Sequence, residues 1–278
     1  MSVRVGVCSW SLQPKSPADL VDRLRATGLE AIQLALDPLG DAPWDMAITR
    51  RILREANVTI LSGMIRTKGE DYTTLESIRG TGGVRSDENW AENLAGAQRC
   101  AEFAEELELP LVTFHAGFLP PEADEPLRAV MVERLRSIID VFAELEVAVA
   151  FETGQETAQT LFDVLGQLER PTAGVNFDPA NMLLYDHGDP VEALRLLAPH
   201  VRQIHIKDAL RPTAPGEWGR EAPVGQGQVD WPGFFEALKE TRLTCDLVIE
   251  REAASETLVD DIRAAHALVL SHLPKEGG

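Results

Sequence analysis

The chain has 278 residues, with 26 lysines and arginines against 45 aspartates and glutamates, so its formal net charge is −19 at pH 7. A nucleic-acid-binding protein usually needs a basic face to neutralise phosphates, and an anionic membrane surface repels so acidic a chain. We therefore expect no nucleic-acid partner and no membrane attachment. Hydrophobic residues make up 44% of the chain, as in ordinary folded proteins, and the length fits one barrel domain or two smaller domains.

The amino-terminal segment and the cysteines indicate the cellular compartment in which the protein is expected. Residues 1–10 lack the long apolar stretch of a signal peptide, and no apolar run approaches the ~20 residues of a membrane-spanning helix. The 3 cysteines lie far apart and include no C-x-x-C pair, which is typical of free thiols in a reducing compartment. We therefore predict a cytoplasmic protein.

Short β-rich runs alternate with longer amphipathic segments along the chain. We predict strands at Val3–Ser9, Ala31–Ala35, Val58–Ser62, Leu111–His115, Val147–Glu152, Gly174–Asp178, Val201–Ile206 and Asp246–Glu250. We predict helices at Ala18–Thr27, Trp44–Ala56, Glu88–Leu109, Pro126–Leu145, Thr157–Leu168, Val191–Leu197, Trp231–Thr241 and Ser255–Leu273. The long connection Gly63–Asp87 is predicted to be a structureless active-site loop or lid.

This alternation of strands and helices predicts the fold class. Strands separated by crossover helices form a parallel sheet, and their number and the chain length favour an α/β fold of the (β/α)8 TIM-barrel type. The alternative is a doubly wound open sheet, which normally carries a glycine-rich nucleotide loop after its first strand. Here that place is taken by Cys8–Leu12, which contains no glycine. We expect a single domain over residues 1–278, with 274–278 as a flexible tail.

Polar residues lie at the ends of four successive predicted strands. Glu152 ends the run VAVAFE, Asp178 ends AGVNFD, His205 lies near the end of VRQIHIKD, and Glu250 ends DLVIE. The carboxyl ends of barrel strands meet at one face, so these side chains are expected to converge. Buried carboxylates repel one another unless a cation compensates them, and carboxylate oxygens with one imidazole suit manganese, magnesium, cobalt or zinc. Four unrelated polar caps are the alternative, but the succession favours one divalent metal ion.

Five segments carry a family resemblance: FET at 151–153, NFDPAN at 176–181, HIKD at 205–208, VGQGQVDW at 224–231 and VIERE at 248–252. With them the chain resembles the sugar isomerase/epimerase superfamily, which has a xylose isomerase-like TIM barrel, over essentially its whole length. The members of this family that it resembles are ketose 3-epimerases, hydroxypyruvate isomerases and inosose isomerases or dehydratases. The resemblance implies that Glu152, Asp178, His205 and Glu250 bind one divalent metal, and that the two glutamates act as acid and base on opposite faces of the substrate.

The resemblance also implies contacts with the substrate. Arg211 falls where ketose 3-epimerases carry a substrate-contacting arginine, and His115 matches a histidine position of the family. Asn181 stands where many members have a histidine, and Gln33 stands where relatives often have a glutamate. We include all four residues among the expected substrate-binding groups.

Two further residues are expected near the substrate on local grounds. Strand alternation turns Lys207 to the same side as His205, which favours a place in the pocket. Trp10 follows the first strand and either forms a hydrophobic wall against a sugar face or packs in the core.

These features predict a metal-dependent sugar isomerase or epimerase that abstracts a proton alpha to a carbonyl, through a metal-bound enediolate. The expected partner is a small sugar or polyol, and the acidic chain favours a neutral one. A lyase or dehydratase acting on a keto-sugar or inosose is the alternative. The negative net charge and the absence of further metal-binding histidines disfavour an endonuclease-type phosphodiesterase. The intact metal-ligand residues disfavour a barrel that binds a sugar without catalysis. The sequence leaves a homo-oligomer open.

Overall fold

The chain folds into a closed barrel of parallel strands ringed by helices, in a computed structural model that describes residues 3–214, 216–253 and 255–273. The strands are β1 (Val5–Cys8), β2 (Ala31–Ala35), β3 (Thr59–Met64), β4 (Leu111–Phe114), β5 (Ala148–Glu152), β6 (Ala173–Phe177), β7 (Val201–Ile206), β8 (Asp208–Leu210), β9 (Arg220–Ala222) and β10 (Asp246–Ile249). The barrel order is β1-β10-β7-β6-β5-β4-β3-β2, and β8 pairs with β9 in a separate antiparallel hairpin. The predicted (β/α)8 barrel is confirmed.

The helices follow the barrel strands and cover the outside of the barrel. They are α1 (Pro17–Thr27), α2 (Met46–Glu55), α3 (Leu75–Thr81), α4 (Asp87–Glu106), α5 (Pro126–Ala143), α6 (Ala158–Leu168), α7 (Pro179–Leu184), α8 (Pro190–Leu197), α9 (Trp231–Thr241) and α10 (Leu258–His272). The core lies between the helices and the barrel wall, where the rings of Phe114 and Phe151 meet edge to face at 5.4 Å. None of the described helices is long and apolar enough to cross a membrane. The predicted tail, 274–278, lies outside the described residues.

Three short structural elements are not predicted from the sequence. The connection Gly63–Asp87 is not structureless, because Thr74 and Ser77 form a reciprocal capping box that starts α3. The Asp178 carboxylate caps the short helix α7, and the connection after β7 contains the β8–β9 hairpin. Each of these elements is short and starts from a local capping or pairing contact, which a search for long amphipathic periods does not detect.

The barrel strands carry a small apolar cluster and a set of buried polar side chains. Ala31, Leu61 and Val248 form the apolar cluster with Cys8. Among the buried polar side chains, Gln33 donates to Thr113 and Ser62 donates to Gln203. These hydrogen bonds satisfy polar groups that are buried next to the side chains at the carboxyl ends of the strands.

Candidate metal centre and active site

Four side chains at the carboxyl ends of neighbouring strands converge on one buried point. Glu152 ends β5, Asp178 follows β6, His205 lies in β7 and Glu250 follows β10. None of the four is more than 3% exposed. The strands β5, β6, β7 and β10 are consecutive in the barrel, so closure of the barrel brings together residues separated by nearly a hundred positions in the chain.

The donor atoms of this cluster fit a metal ion. One atom from each residue lies within 4.8 Å of all the others. His205 Nδ1 is 3.4 Å from an oxygen of Glu152 and of Glu250, and 3.8 Å from Asp178 Oδ2. Ligands on opposite sides of a small divalent ion are about 4.2 Å apart, since each bond is about 2.1 Å. His205 Nδ1 and Asp178 Oδ2 are buried without a hydrogen-bond partner among the described residues, which is expected of atoms reserved for an ion.

The orientation of the imidazole is set from below by Gln33. The Gln33 amide donates to Thr113 Oγ1 at 2.8 Å and to the Gly63 carbonyl at 3.3 Å, so its Oε1 is left to accept. That oxygen lies 2.7 Å from His205 Nε2. Asn176 Nδ2 also lies 3.0 Å from Nε2, but the shorter contact to an oxygen that only accepts places a proton on Nε2. Nδ1 is then the ring nitrogen that faces the carboxylates and is able to ligate a cation.

A buried lysine contributes to the charge balance of the cluster. Lys207 Nζ donates to Glu250 Oε2 at 2.9 Å and to Glu252 Oε2 at 2.5 Å, and lies 3.8 Å from Asp178 Oδ2. Burial opposes the charge, but Glu250, Glu252 and Asp178 overcome it and hold the pKa of Lys207 well above its usual range. The carboxylates of Glu152, Asp178, Glu250 and Glu252 outnumber this ammonium, which leaves an excess of negative charge that a divalent cation would reduce.

The carboxylates have different acidities in the metal-free chain. Burial opposes ionisation of Glu250, but Lys207 and His205 overcome it and hold the pKa of this carboxyl well below its usual range. Glu152 is also buried, yet His115 and His205 lower its pKa. Burial raises the pKa of Asp178. The carboxylates of the two glutamates are therefore ionised at neutral pH, as bases must be.

Burial opposes protonation of His205 too, but Cys8, Glu152 and Glu250 raise its pKa well above the usual range. In the metal-free chain an imidazolium thus stands among the carboxylates. A cation bound at Nδ1 replaces its proton, so metal binding and proton release are coupled.

Each of the two glutamates is held by its own donor. Asn181 Nδ2 donates to Glu152 Oε1 at 2.8 Å, and Asn181 Oδ1 accepts from Lys207 at 3.3 Å. Trp10 Nε1 donates to Glu250 Oε1 at 2.7 Å, so Trp10 has a polar role besides the wall or packing role expected of it. These bonds fix the orientation of each carboxylate at the cluster.

A cavity of about 460 Å³ opens above the cluster and is large enough for a monosaccharide. Its lining comprises Trp10, Ala35, Asp37, Pro38, Met64, Ile65, Arg66, Thr67, Glu70, Tyr72, His115, Asn181, Lys207, Glu250 and Glu252. His115 Nε2 is 3.7 Å from Glu152 Oε1, and His115 Nδ1 lacks a partner in the described part of the chain.

Five of the predicted site residues thus line the cavity, and Glu152, Asp178 and His205 lie at its base. Two expected substrate contacts do not lie there. Gln33 is fully buried beneath His205 and acts on the imidazole instead. Arg211 is turned outward, where it donates to Asp186 Oδ1 and to the backbone carbonyl oxygen of Gly188, each at 2.6 Å.

The sequence reasoning missed several cavity residues. Glu252 lies two positions after Glu250, so the strand alternation that identified Lys207 from His205 also predicts it. Asp37, Glu70 and Tyr72 come from the connections after β2 and β3. No sequence signal distinguishes these three from solvated loop residues.

Comparisons with known proteins agree with this fold. Residues 21–270 match the protein family described as xylose isomerase-like TIM barrel. The crystal structure of a xylose isomerase domain protein from Planctomyces limnophilus has a TM-score of 0.83 to this chain, with 29% identity over 90% of both chains. The structure of L-ribulose 3-epimerase has a TM-score of 0.74 and 15% identity, over 97% of this chain and 94% of that one.

A curated relative matches a shorter stretch. The uncharacterized protein YihM of Escherichia coli K12 is 34% identical in a 124-residue alignment, and the match covers 40% of this chain and 36% of YihM. The match therefore spans little more than a third of that relative's length.

Proposed function

The chain belongs to the xylose isomerase-like TIM barrel family, and we propose that it is a divalent-metal-dependent isomerase or epimerase of a neutral sugar or polyol. The observation that carries the proposal is the pair Glu152 and Glu250. Neighbouring groups lower the pKa of both carboxyls, a side-chain donor orients each, and both belong to a cluster of ligand atoms that fits one cation. Such a pair is suited to removing a proton alpha to a carbonyl and returning it elsewhere.

The proposed roles follow from the contacts. One glutamate takes the proton from the carbon next to the carbonyl, and the other returns it on the opposite face or delivers it to the adjacent carbon. A divalent ion supplies a Lewis acid that polarises the carbonyl oxygen when it is bound by Glu152, Asp178, His205 and Glu250. The Lys207 ammonium and the His115 imidazole border the cavity and are able to hydrogen-bond substrate hydroxyls.

The charges around the cavity support a neutral substrate. Asp37, Glu70 and Glu252 contribute carboxylates, whereas the cations of the lining are Arg66 and Lys207, and Lys207 is already paired. A sugar phosphate entering here would meet more negative than positive charge. Carboxylates and hydroxyls instead match the hydroxyl groups of an uncharged sugar, and Trp10 and Tyr72 offer ring faces to its C–H groups.

The test is a screen of ketoses, aldoses and keto-inositols with added manganese in deuterated water. The proposal expects solvent deuterium to enter one substrate at the carbon alpha to its carbonyl. Glu250→Gln and Glu152→Gln should each lower that exchange by at least about 10²-fold. Glu102→Gln, at an exposed position of α4, is the matched control and should exchange at the wild-type rate.

The products separate the alternatives. A product with an inverted stereocentre indicates an epimerase, and a product with its carbonyl on the adjacent carbon indicates an isomerase. An unsaturated product formed by loss of water indicates the alternative, a lyase or dehydratase. Exchange that persists unchanged in both glutamine variants would refute the assignment of Glu152 and Glu250. Metal content measured on each variant distinguishes loss of the base from loss of the ion.

A further inference from the structure

The cavity above the metal cluster extends across the mouth of the barrel, away from the cluster. Asp178 and His205 lie at the ends of β6 and β7, whereas the connections after β2 and β3 supply much of the cavity lining. In the barrel order β2 and β3 stand four places from β6 and β7, directly across the ring of strands. We call the region beside β2 and β3 the outer part of the cavity, and its lining comprises Asp37, Pro38, Arg66, Thr67, Glu70 and Tyr72.

One hexose does not fill this cavity, whose volume is about 460 Å³. A hexose has six carbons, and if each carbon with its oxygen takes up the volume of a liquid water molecule, about 30 Å³, the sugar occupies about 180 Å³. A small-molecule site usually encloses most of its ligand and fits it closely. A single sugar ring with its reacting carbons at the cluster therefore leaves the outer part of the cavity to another group.

Hydrogen bonds keep the outer part in shape. The backbone N–H of Arg66 donates to both carboxylate oxygens of Asp37 at 3.1 Å, which joins the connection after β3 to the connection after β2. Glu70 Oε1 accepts from Thr67 Oγ1 at 2.8 Å and from the backbone N–H of Gly83 at 3.1 Å. The wall is thus formed before any ligand enters, which lowers the ordering cost of binding there.

The chemical groups of the outer part suit a sugar ring. Asp37 and Glu70 offer carboxylate acceptors and Arg66 offers guanidinium donors, and sugar hydroxyls both donate and accept. The Tyr72 side chain borders this part and is 42% exposed, so its ring is available to pack against the C–H groups of a sugar. The two carboxylates beside the arginine disfavour a phosphate or a nucleotide in the same place.

We propose that the substrate is a saccharide with a second glycosyl unit, which the outer part of the cavity binds while the metal cluster acts on the first unit. This inference rests on the proposed function, because it takes the cluster as the place of reaction. It assigns to Glu70 and Tyr72 the discrimination between a monosaccharide and a larger saccharide. Neither residue belongs to the cluster, so both are specificity-determining residues and neither is catalytic.

Proton exchange in deuterated water with manganese tests the inference on fructose and on maltulose, leucrose and isomaltulose, which carry glucose on different oxygens of fructose. We expect at least one of these glucosyl-fructoses to exchange with a kcat/KM about ten-fold or more above that of fructose. For that saccharide, Glu70→Gln and Tyr72→Leu should each raise KM by about five-fold or more with little change in kcat, because binding of the second unit is lost. Both variants should keep the wild-type KM for fructose.

Glu76→Gln is the matched control, since Glu76 is exposed in α3 and lies outside the cavity lining. It should exchange each saccharide as the wild-type chain does. A variant that raises KM equally for fructose and for the glucosyl-fructose would overturn the specificity role, because a disturbed wall affects both substrates.

Calorimetric titration of the manganese-loaded chain with the same four saccharides separates this inference from the proposed function. Tighter binding of a glucosyl-fructose than of fructose, weakened in Tyr72→Leu, supports the second unit whether or not exchange follows. Exchange of fructose without faster exchange or tighter binding of any glucosyl-fructose would overturn the inference and leave the proposed function standing. Absence of saturable binding for all three glucosyl-fructoses would overturn it as well.

Discussion

At the scale of single residues, the candidate metal centre depends on an amide that contacts none of its carboxylates. Thr113 and Gly63 orient the Gln33 amide, and this amide in turn orients the His205 ring through one hydrogen bond. If that bond is lost, the imidazole is free to turn or to present its other nitrogen. Groups that hold a ligand histidine in this way typically raise the metal affinity by about 10- to 100-fold.

Gln33→Leu is therefore expected to weaken manganese binding by about 10- to 100-fold, because it removes the acceptor at His205 Nε2 while filling a similar volume. Isothermal titration with manganese measures the effect. Thr49→Val is the matched control, since Thr49 is fully buried in α2 and its hydroxyl has no hydrogen-bond partner among the described residues. Equal manganese affinity in Gln33→Leu and Thr49→Val would contradict the role given to Gln33.

At the scale of an element, one carboxylate organises the long connection after β7. The Asp208 carboxylate accepts from the backbone N–H groups of Gly225, Gly227 and Val229 and from Trp231 Nε1, at 2.9–3.1 Å. These bonds hold the end of the connection against the β8 strand, beside Lys207. The close approach requires a glycine, because a Cβ on Gly227 would lie 2.0 Å from Asp208 Oδ1.

Gly227→Ala should accordingly displace the Asp208 carboxylate and lower the free energy of unfolding by about 2 kcal/mol or more, since hydrogen bonds to a buried charge are lost. Gly96→Ala is the control at a helical position with open space, and should raise stability by about 0.5–1 kcal/mol. Urea denaturation of both variants provides the comparison. Similar effects of the two substitutions would refute the packing argument. Amide exchange over 208–231 should also increase in Gly227→Ala alone.

At the scale of the whole molecule, the negative charge divides into two groups with different physical consequences. Most carboxylates are exposed, on the helices and on the connections between elements, where water and salt screen them. Glu152, Asp178 and Glu250 are buried at the barrel axis, where Lys207 compensates only part of their charge. The folded barrel therefore carries a local excess of negative charge that the unfolded chain does not concentrate, and a cation that binds only the folded form stabilises it.

Manganese should raise the thermal midpoint of the wild-type chain, and a chelator should reverse the rise, by this linkage. In Asp178→Asn the rise should be much smaller, because one charged ligand is absent. Asparagine still accepts at the start of α7, where Asp178 Oδ1 takes the N–H groups of Ala180 and Asn181, so the helix cap is retained. A midpoint that responds equally to manganese in both proteins would argue against the cluster as the metal site.

The candidate site was only partly predictable from the chain. Strand alternation and the position of charge at strand ends identified Lys207 and the cluster residues, because both signals are local and periodic. The orientation of Arg211 toward Asp186 depends on two separate connections and had no such signal. The same holds for Gln33, whose role became visible only with its distance to His205.

By itself, the sequence determined the alternation of strands and helices, and with it the barrel. Hydrophobic periodicity and polar residues at strand ends are local signals that a short segment of sequence contains. It also determined which residue types reach the carboxyl ends of the strands. Only the tertiary structure decided which side chains meet: that Trp10 and Asn181 orient the two glutamates, and that Gln33 lies against His205. The physical reason is that these contacts join segments whose separation in space is defined only when the barrel closes.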